Sequence, residues 1–152
     1  MPETVVGIPL HPLVVHAVAV LVPLAALGTV LITLVPRWRS TYGWLAVAAS
    51  AVSFALVPVA TQAGGNLEDT LGLGGPVAEK VNEHQQMGER VIWAVGAMLV
   101  LDLVVMMAHR SGRSSRQVSA IAALASVAAL TALTLVVLTG HLGSQAVWNP
   151  TG

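Results

Sequence analysis

Residues 11–39 read HPLVVHAVAVLVPLAALGTVLITLVPRWR, and this stretch decides the fold. It contains no acidic residue, and its first basic residues are Arg37 and Arg39 at its end. A helix that crosses the hydrocarbon layer of a membrane needs about 20 largely uncharged residues, and residues 12–36 satisfy this requirement. Backbone groups in lipid must be hydrogen-bonded within their own segment. The stretch therefore predicts a membrane-spanning helix that ends at a pair of arginines.

Three further stretches have the same apolar character: residues 44–64, 91–108 and 118–142. Only Asp102 places a charged side chain inside them. Pro23 and Pro58 lie within the first two spans, where they are expected to kink the helices, as membrane helices tolerate. The chain has 9% charged residues, whereas a soluble domain has about a quarter. The prediction is an all-α integral membrane four-helix bundle, forming one domain over residues 1–152.

The charges outside the spans predict the orientation of the bundle. The loops after the first and third spans contain only basic charges, namely Arg37, Arg39, Arg110, Arg113 and Arg116. The segment between the second and third spans is mainly acidic, with Glu68, Asp69, Glu79, Glu83 and Glu89 against Lys80 and Arg90. The positive-inside rule assigns the arginine loops to the cytoplasm. Both termini are then extracytoplasmic, N-out and C-out. The sequence has no basic patch accompanied by aromatic residues, so a nucleic-acid partner is not expected.

The N-terminal ten residues contain Glu3 and no basic residue. A cleaved secretory signal needs a positively charged region before its apolar stretch. We therefore expect the first apolar segment to be a retained membrane helix.

The third helix is predicted to begin outside the membrane. Residues 72–75 read GLGG and form a flexible linker, and Pro76 suits the first position of a helix. A stripe at alternating steps of three and four residues supports one continuous helix. The stripe comprises Val77, Val81, His84, Gly88, Val91, Val95, Met98, Asp102, Val105 and His109. We expect His84, Gly88 and Asp102 to face the interior of the bundle.

Five histidines are the most specific feature of the chain. In the predicted topology, His11, His16, His84 and His141 lie at the outer ends of three helices. Only His109 lies on the cytoplasmic side. Ionisable or metal-ligating groups at membrane depth are costly and usually functional. We therefore expect the four outer histidines to form a shared site near the extracytoplasmic face.

The favoured hypothesis is a b-type haem that passes single electrons near that face. Such a haem needs two axial imidazoles from facing helices, which His84 could supply together with His16 or His141. Gly88 would leave room for an edge of the macrocycle, and His11 would be a neighbouring or second-site group.

A zinc or copper ion bound by the four outer histidines is the alternative. Three carboxylates lie close enough in sequence to complete such a site: Glu68, Asp69 and Glu83. The third hypothesis is a non-catalytic accessory subunit of a membrane complex, in which the histidines make only hydrogen bonds.

Asp102 is the other unusual residue, since it lies inside a span about two turns from its cytoplasmic end. It could serve as a proton or polar relay. It could equally be a hydrogen-bonded acid that meets Ser126, Thr131 or Thr33 on a neighbouring helix. The sequence leaves these two interpretations open.

The sequence leaves enzymatic activity open but contains no clear catalytic motif. No serine–histidine–acid cluster and no glycine-rich phosphate loop is present. The chain has no cysteine, which excludes disulfides, iron–sulfur clusters and covalently attached c-type haem. An electron carrier or a binding subunit is therefore favoured over a stand-alone enzyme.

Three motifs follow one another along the chain: HPLVVH at residues 11–16, the pair Glu83-His84, and GHLG at residues 140–143. With them the chain resembles the bacterial membrane family called domain of unknown function 2231, over nearly its whole length. The resemblance implies a four-helix domain of the bacterial plasma membrane without an established activity, with His11, His16, His84 and His141 as its motif positions.

In some members of that family the domain precedes a Rieske iron–sulfur domain, which implies electron transfer. No such domain follows within these 152 residues. We therefore expect the redox partner to be a separate protein or a larger membrane complex. Association of this chain with itself is left open.

The sequence also suggests a weak internal repeat. Both pairs of spans run in the same direction, and each opens with an outer histidine, His16 or His84. Residues 61–65 read TQAGG at the end of the first pair, and residues 139–143 read TGHLG at the end of the second. Such repeats are common in membrane bundles.

Overall fold

A computed structural model describes residues 4, 5 and 7–149, and within them the chain folds into four long helices. The helices are α1 Leu10–Leu34, α2 Arg39–Leu71, α3 Gly75–Arg110 and α4 Ser115–Trp148. The predicted all-α membrane bundle is confirmed. Residues 1–3, 6 and 150–152 lie outside the described part, and so does the part of the N-terminal expectation that concerns Glu3.

Short elements join and precede the helices. A 3₁₀ turn, Pro36–Trp38, connects α1 to α2. Two strands of two residues each, β1 Thr4–Val5 and β2 Ile8–Pro9, pair antiparallel before α1. These strands were not predicted from the sequence, because they are too short to show an alternating pattern.

The ends of the helices follow from local sequence. α2 ends where Gly72 adopts a left-handed conformation with φ of 56°, which glycine adopts without steric strain. The break between α2 and α3 thus lies at the predicted glycine linker. α4 begins with a capping box, in which the Ser114 side chain accepts from the Gln117 backbone and the Gln117 side chain accepts from the Ser114 backbone.

All four helices are long and apolar enough to cross a membrane. α1 has 25 residues, which is about 38 Å of helix. α2, α3 and α4 have 33, 36 and 34 residues, or about 50 Å each, whereas the hydrocarbon core is about 30 Å thick. Extension beyond the lipid was predicted for the third helix alone, and the structure gives the same length to α2 and α4.

The two ends of the bundle differ in their side chains. The arginine end holds the short α1–α2 and α3–α4 connections, with Arg37, Arg39, Arg110 and Arg113. The histidine end lies opposite and holds His11 and His84. Because the connections at the arginine end are short, helix ends are level there. The extra length of α2, α3 and α4 therefore projects at the histidine end.

The helices form a ring in which each packs against the next in sequence and α4 closes on α1. α1 and α3 therefore lie diagonally opposite each other. The stripe predicted on α3 is buried in its membrane part, from Val91 through Asp102 to Val105. His109, at the end of the same stripe, is exposed.

The core consists of two apolar clusters with a polar layer between them. The larger cluster includes Val22, Val57, Val91, Val95, Met98, Ala129 and Ala132. The smaller cluster lies toward the arginine end and contains Val105, Ala108, Val118, Ala122 and Ala125. The polar layer joins three helices and consists of Asp102, Thr29 and Ser50.

The two hairpins, α1–α2 and α3–α4, bury residues at the same spacing. Buried residues of α1 include Val22, Ala25, Thr29 and Ile32, and those of α3 include Val95, Met98, Asp102 and Val105. Buried residues of α2 include Gly43, Ala46, Ser50 and Ser53, and those of α4 include Ala122, Ala125, Ala129 and Ala132. The two hairpins thus repeat one spacing of buried residues, as expected for membrane repeats related by an axis along the bundle.

The register of this repeat differs from the one that the sequence suggested. The matching buried positions make His11, and not His16, the equivalent of His84. They also make Gly64, and not Gly65, the equivalent of Gly143. The sequence comparison had aligned glycines by composition, whereas the structure aligns the residues that face the core.

Candidate functional site

His11 lies at the start of α1 with its half-buried ring against α2. Its Nδ1 atom is 2.9 Å from the carbonyl oxygen of Ala60. A carbonyl only accepts hydrogen bonds, so Nδ1 carries the hydrogen and Nε2 keeps its lone pair. The ring packs on Gly64, where a Cβ atom would lie 3.0 Å from Cε1 of His11. Glycine at this position therefore makes room for the ring.

His84 repeats this arrangement between α3 and α4. Its Nδ1 atom is 2.8 Å from the carbonyl oxygen of Thr139, so Nε2 is again the nitrogen with the lone pair. A Cβ atom on Gly143 would lie 2.9 Å from Cε1 of His84. In both hairpins the glycine follows the accepting carbonyl by one helical turn. The two histidines are thus held by equivalent contacts on opposite sides of the bundle axis.

The two rings meet in an edge-on, T-shaped arrangement. Their centroids are 6.2 Å apart and their planes lie at 87° to each other. A metal ion ligated by two imidazoles, with metal–nitrogen bonds of about 2 Å, separates the ring centroids by roughly 5–6.5 Å. A hydrogen bond from Nδ1 to a backbone carbonyl is also the usual support of a metal-ligating histidine. The spacing and the tautomer therefore suit one shared ion.

His16 lies on a different face of α1 from His11. Five residues separate them, which is about 140° around a helix, and the His16 side chain is exposed. Its Nδ1 bonds the carbonyl of Pro12 in the same helix. His16 is therefore not part of the pair.

His141 lies two residues from both Thr139 and Gly143, about 200° around α4. Its side chain is exposed, and its Nε2 atom is 3.0 Å from Nε2 of Gln145. The expected axial pairs, His84 with His16 or with His141, are not the pair that the structure brings together. That pair is His84 with His11, which had been assigned a neighbouring or second position.

The space beside Gly88, where the edge of a macrocycle was expected, is filled by methyl groups. A Cβ atom on Gly88 would lie 3.7 Å from Cγ2 of Thr139 and 3.9 Å from Cγ2 of Thr61. α2 and α4 therefore close against α3 just below the imidazole pair. A porphyrin would require these helices to separate, whereas a bare ion needs less room.

The expected carboxylate ligands do not gather around the pair either. Asp69 and Glu83 are exposed and Glu68 is half-buried. Within residues 4, 5 and 7–149, no three histidine, aspartate or glutamate side chains come together as a metal site. The structure thus offers two protein nitrogens in place of the four-histidine set.

A cavity of about 140 Å³ adjoins His11 at the histidine end. It lies between β1, the start of α1 and the end of α2, and its lining includes Thr4, Asn66 and Thr70. A water molecule occupies about 30 Å³ in the liquid, so the cavity has room for several. Water or a small ligand can therefore reach the neighbourhood of the His11 ring.

Asp102 is hydrogen-bonded, but not to the residues that the sequence suggested. Its Oδ2 atom accepts from Oγ1 of Thr29 at 2.9 Å and from Oγ of Ser50 at 2.7 Å. Of the expected partners, Ser126 instead donates to Thr33, at 2.9 Å. Asp102 is thus a hydrogen-bonded acid, as one of the two interpretations expected, but its donors lie on α1 and α2 and are not the expected residues.

Gly64 and the carbonyls of Ala60 and Thr139 were not predicted from the sequence. A main-chain acceptor leaves no signature in side-chain identity, so the carbonyls could not have been found. Aligning the two halves on His11 and His84 at a constant offset pairs Gly64 with Val137, because Gly143 lies six residues further along the second hairpin.

No curated protein and no solved structure gives a significant match to the chain. A family model described as predicted membrane protein, DUF2231, matches residues 7–151, which is nearly the whole chain. The motif-based resemblance is thereby confirmed, and the chain belongs to DUF2231, a family of predicted membrane proteins.

Proposed function

We propose that this protein binds one copper ion at the histidine end of the bundle, with Nε2 of His11 and Nε2 of His84 as its two protein ligands. The observation that supports this proposal is the imidazole pair, with ring centroids 6.2 Å apart. Both Nδ1 atoms are engaged by backbone carbonyls, which leaves both Nε2 lone pairs for a metal.

The number of ligands favours copper over zinc. Zinc sites in proteins are almost always four-coordinate, with at least three protein ligands. Cu(I) has a filled d shell and is stable with two nitrogen ligands in a linear arrangement, and imidazole is a good ligand for copper. Exchange between Cu(I) and Cu(II) would provide the single-electron transfer that the sequence suggested.

Haem is the second candidate, because two axial imidazoles on one iron have a similar ring separation. α1 and α3 also supply the histidines from opposite corners of the bundle, as axial ligation requires. The contacts of Gly88 with Thr61 and Thr139 weigh against it. A porphyrin would need a wider opening between α2 and α4, so the bare ion agrees better with the packing.

The orientation of the protein belongs to the same proposal. The positive-inside rule places the arginine end in the cytoplasm, and the plasma membrane of a bacterium is the expected location. The histidine end is then extracytoplasmic. Because α2, α3 and α4 exceed the hydrocarbon thickness there, the imidazole pair lies close to the lipid head groups. A water-soluble redox partner can approach a metal at that depth.

The test is metal binding to the purified protein in lipid nanodiscs. Cu(I), Zn(II) and haem are titrated separately, Cu(I) against a chromophoric chelator. We expect one tightly bound Cu(I) per chain. Replacing either ligand, in His11→Ala or His84→Ala, should weaken binding by at least ~100-fold, since even the partners of ligands contribute 10–100-fold.

His16→Ala is the matched control, because it removes an exposed imidazole from the same helix, and its Cu(I) affinity should equal that of the wild type. A haem band in the reduced-minus-oxidised spectrum that depends on His11 and His84 would favour the second candidate. Equal Cu(I) affinity in the wild type and in His11→Ala would refute the copper site.

A further inference from the structure

Two buried oxygen atoms, on Asp102 of the polar layer and on Ser53, lack a hydrogen-bond partner. Asp102 is 0% exposed within α3. Its Oδ2 atom accepts two hydroxyl hydrogen bonds, but its Oδ1 atom has none, and Oγ of Ser53 is likewise buried without a partner. Buried polar atoms of this kind are uncommon and call for an explanation.

No basic side chain within the described residues compensates the Asp102 carboxylate. On α2, the buried Arg39 guanidinium is bound to the carbonyls of Ile32 and Thr33 and to Ser119 at the arginine end. The titratable groups of α1 are His11 and His16, at the histidine end of the bundle. α4 has no titratable group between Arg116 and His141. An isolated carboxylate in an apolar interior is strongly unfavourable, and two hydroxyl donors do not offset that cost.

Ser50 and Ser53 lie three residues apart on α2 and therefore on the same face of that helix. Oγ of Ser50 donates to Asp102 at 2.7 Å. Ser53, on the next turn toward the histidine end, is fully buried among the same helices. Oxygen atoms of a carboxylate and of hydroxyls are suitable ligands for a hard cation.

We infer that Oδ1 of Asp102 binds one monovalent cation, a proton or a sodium ion, with the unpartnered Oγ of Ser53, one turn from Ser50 on the same face of α2, as the candidate second oxygen. Asp102 lies eight residues before Arg110 on α3, or about 12 Å from the arginine end. It is therefore close to the middle of the hydrocarbon layer, where coupling ions and relayed protons are bound in other membrane bundles.

The internal repeat indicates that the site holds one cation. Thr29 occupies the position in α1 that Asp102 occupies in α3, and Ala132 occupies the position in α4 that Ser53 occupies in α2. Asp102 and Ser53 thus have no polar equivalent of the same kind in the other hairpin, although the surrounding spacing of buried residues occurs in both. This cation site is independent of any metal at His11 and His84.

Two measurements on the full-length protein in nanodiscs test the inference. The first is Tm in sodium chloride against choline chloride at equal ionic strength. A bound sodium ion should raise Tm by roughly 2–5 °C, as expected for a ligand at about ten times its Kd. The second is infrared spectroscopy with ¹³C-aspartate, which labels only Asp69 and Asp102 in this chain. A bound proton should give the carbonyl stretch of a neutral carboxylic acid at neutral pH.

Variants assign these signals to the site. Asp102→Asn should abolish the rise of Tm in sodium or the carboxylic acid band, whichever the wild type shows. Ser53→Ala should reduce the rise of Tm in sodium. Asp69→Asn, at an exposed position, should leave the Asp102 band in place, so the assignment does not depend on Asp102→Asn folding. Ser126→Ala removes a core hydroxyl bonded to Thr33 and should behave as the wild type.

His11→Ala should also retain the cation signal, which separates this site from the proposed copper site. An ionised Asp102 carboxylate at neutral pH, in a protein with equal Tm in sodium and choline, would overturn the inference.

Discussion

The hairpin α1–α2 and the hairpin α3–α4 share one frame but differ in the groups placed inside it. Both anchor a histidine through Nδ1 to a carbonyl of the following helix and seat its ring on a glycine. The polar core groups differ: α2 has Arg39, Ser50 and Ser53 at the positions where α4 has Val118, Ala129 and Ala132. What recurs is therefore packing and the histidine anchor, and what occurs once is the polar chemistry of the core.

The helix contacts near the arginine end also recur in packing and differ in polarity. Gly43 of α2 packs against Met106 of α3, and its equivalent Ala122 of α4 accepts a hydrogen bond from Thr33 of α1. A small residue thus meets a longer side chain at both places, although the side chains differ in polarity. The repeat conserves shape where it does not conserve chemistry.

The largest effect on this comparison is expected from Arg39→Leu. Arg39 is buried and donates to the carbonyls of Ile32 and Thr33. Hydrogen bonds from a charged donor contribute about 1.5–3 kcal/mol each, with losses that are not additive, so we expect a total loss of about 2–4 kcal/mol. Reversible unfolding in mixed detergent micelles measures it.

Arg37→Leu is the control for this prediction, since Arg37 is exposed and should change stability by no more than about 0.5 kcal/mol. Equal stability of the two variants would show that the buried guanidinium does not stabilise α2, which would then tolerate an apolar residue there as α4 does at Val118.

The second effect concerns the histidine anchors. Gly64→Ala and Gly143→Ala would each bring a Cβ atom closer to the histidine ring than such atoms normally approach, 3.0 and 2.9 Å from Cε1. Displacing the rings should weaken Cu(I) binding by about 10–100-fold in both variants. Gly140→Ala is the matched control, because nothing lies within 4 Å of its Cβ position. A loss in only one of the two glycine variants would show that a single histidine holds the metal.

The smallest effect is a difference between equivalent core residues. Val22 and Val95 are both 0% exposed and lie in the same cluster. Replacing either with alanine removes two methyl groups and should cost about 1–2 kcal/mol. If the hairpins are equivalent, the two losses should agree to within about 0.5 kcal/mol in the same unfolding assay. A larger disagreement would limit the repeat to the backbone.

The fold was predictable because apolar length acts over whole segments. The buried face of α3 was predictable too, since Val91, Val95, Met98 and Val105 recur at the helical period. The pairing of His11 with His84 was not, because topology assigns a residue to an end of the bundle but not to a direction around its helix. His11 and His16 share an end and differ in direction by about 140°. The threonine methyls beside Gly88 depend on how α2 and α4 pack, which the sequence alone does not specify.

The anchors of the two histidines have a consequence for sequence variation. Because the acceptors are main-chain oxygens of Ala60 and Thr139, the hydrogen bond does not depend on which side chain that fits the packing stands at those two positions. The present chain already uses a methyl group at one and a hydroxyl at the other. Drift at these positions should therefore leave the imidazole orientation intact, whereas the nearby glycines have no such freedom.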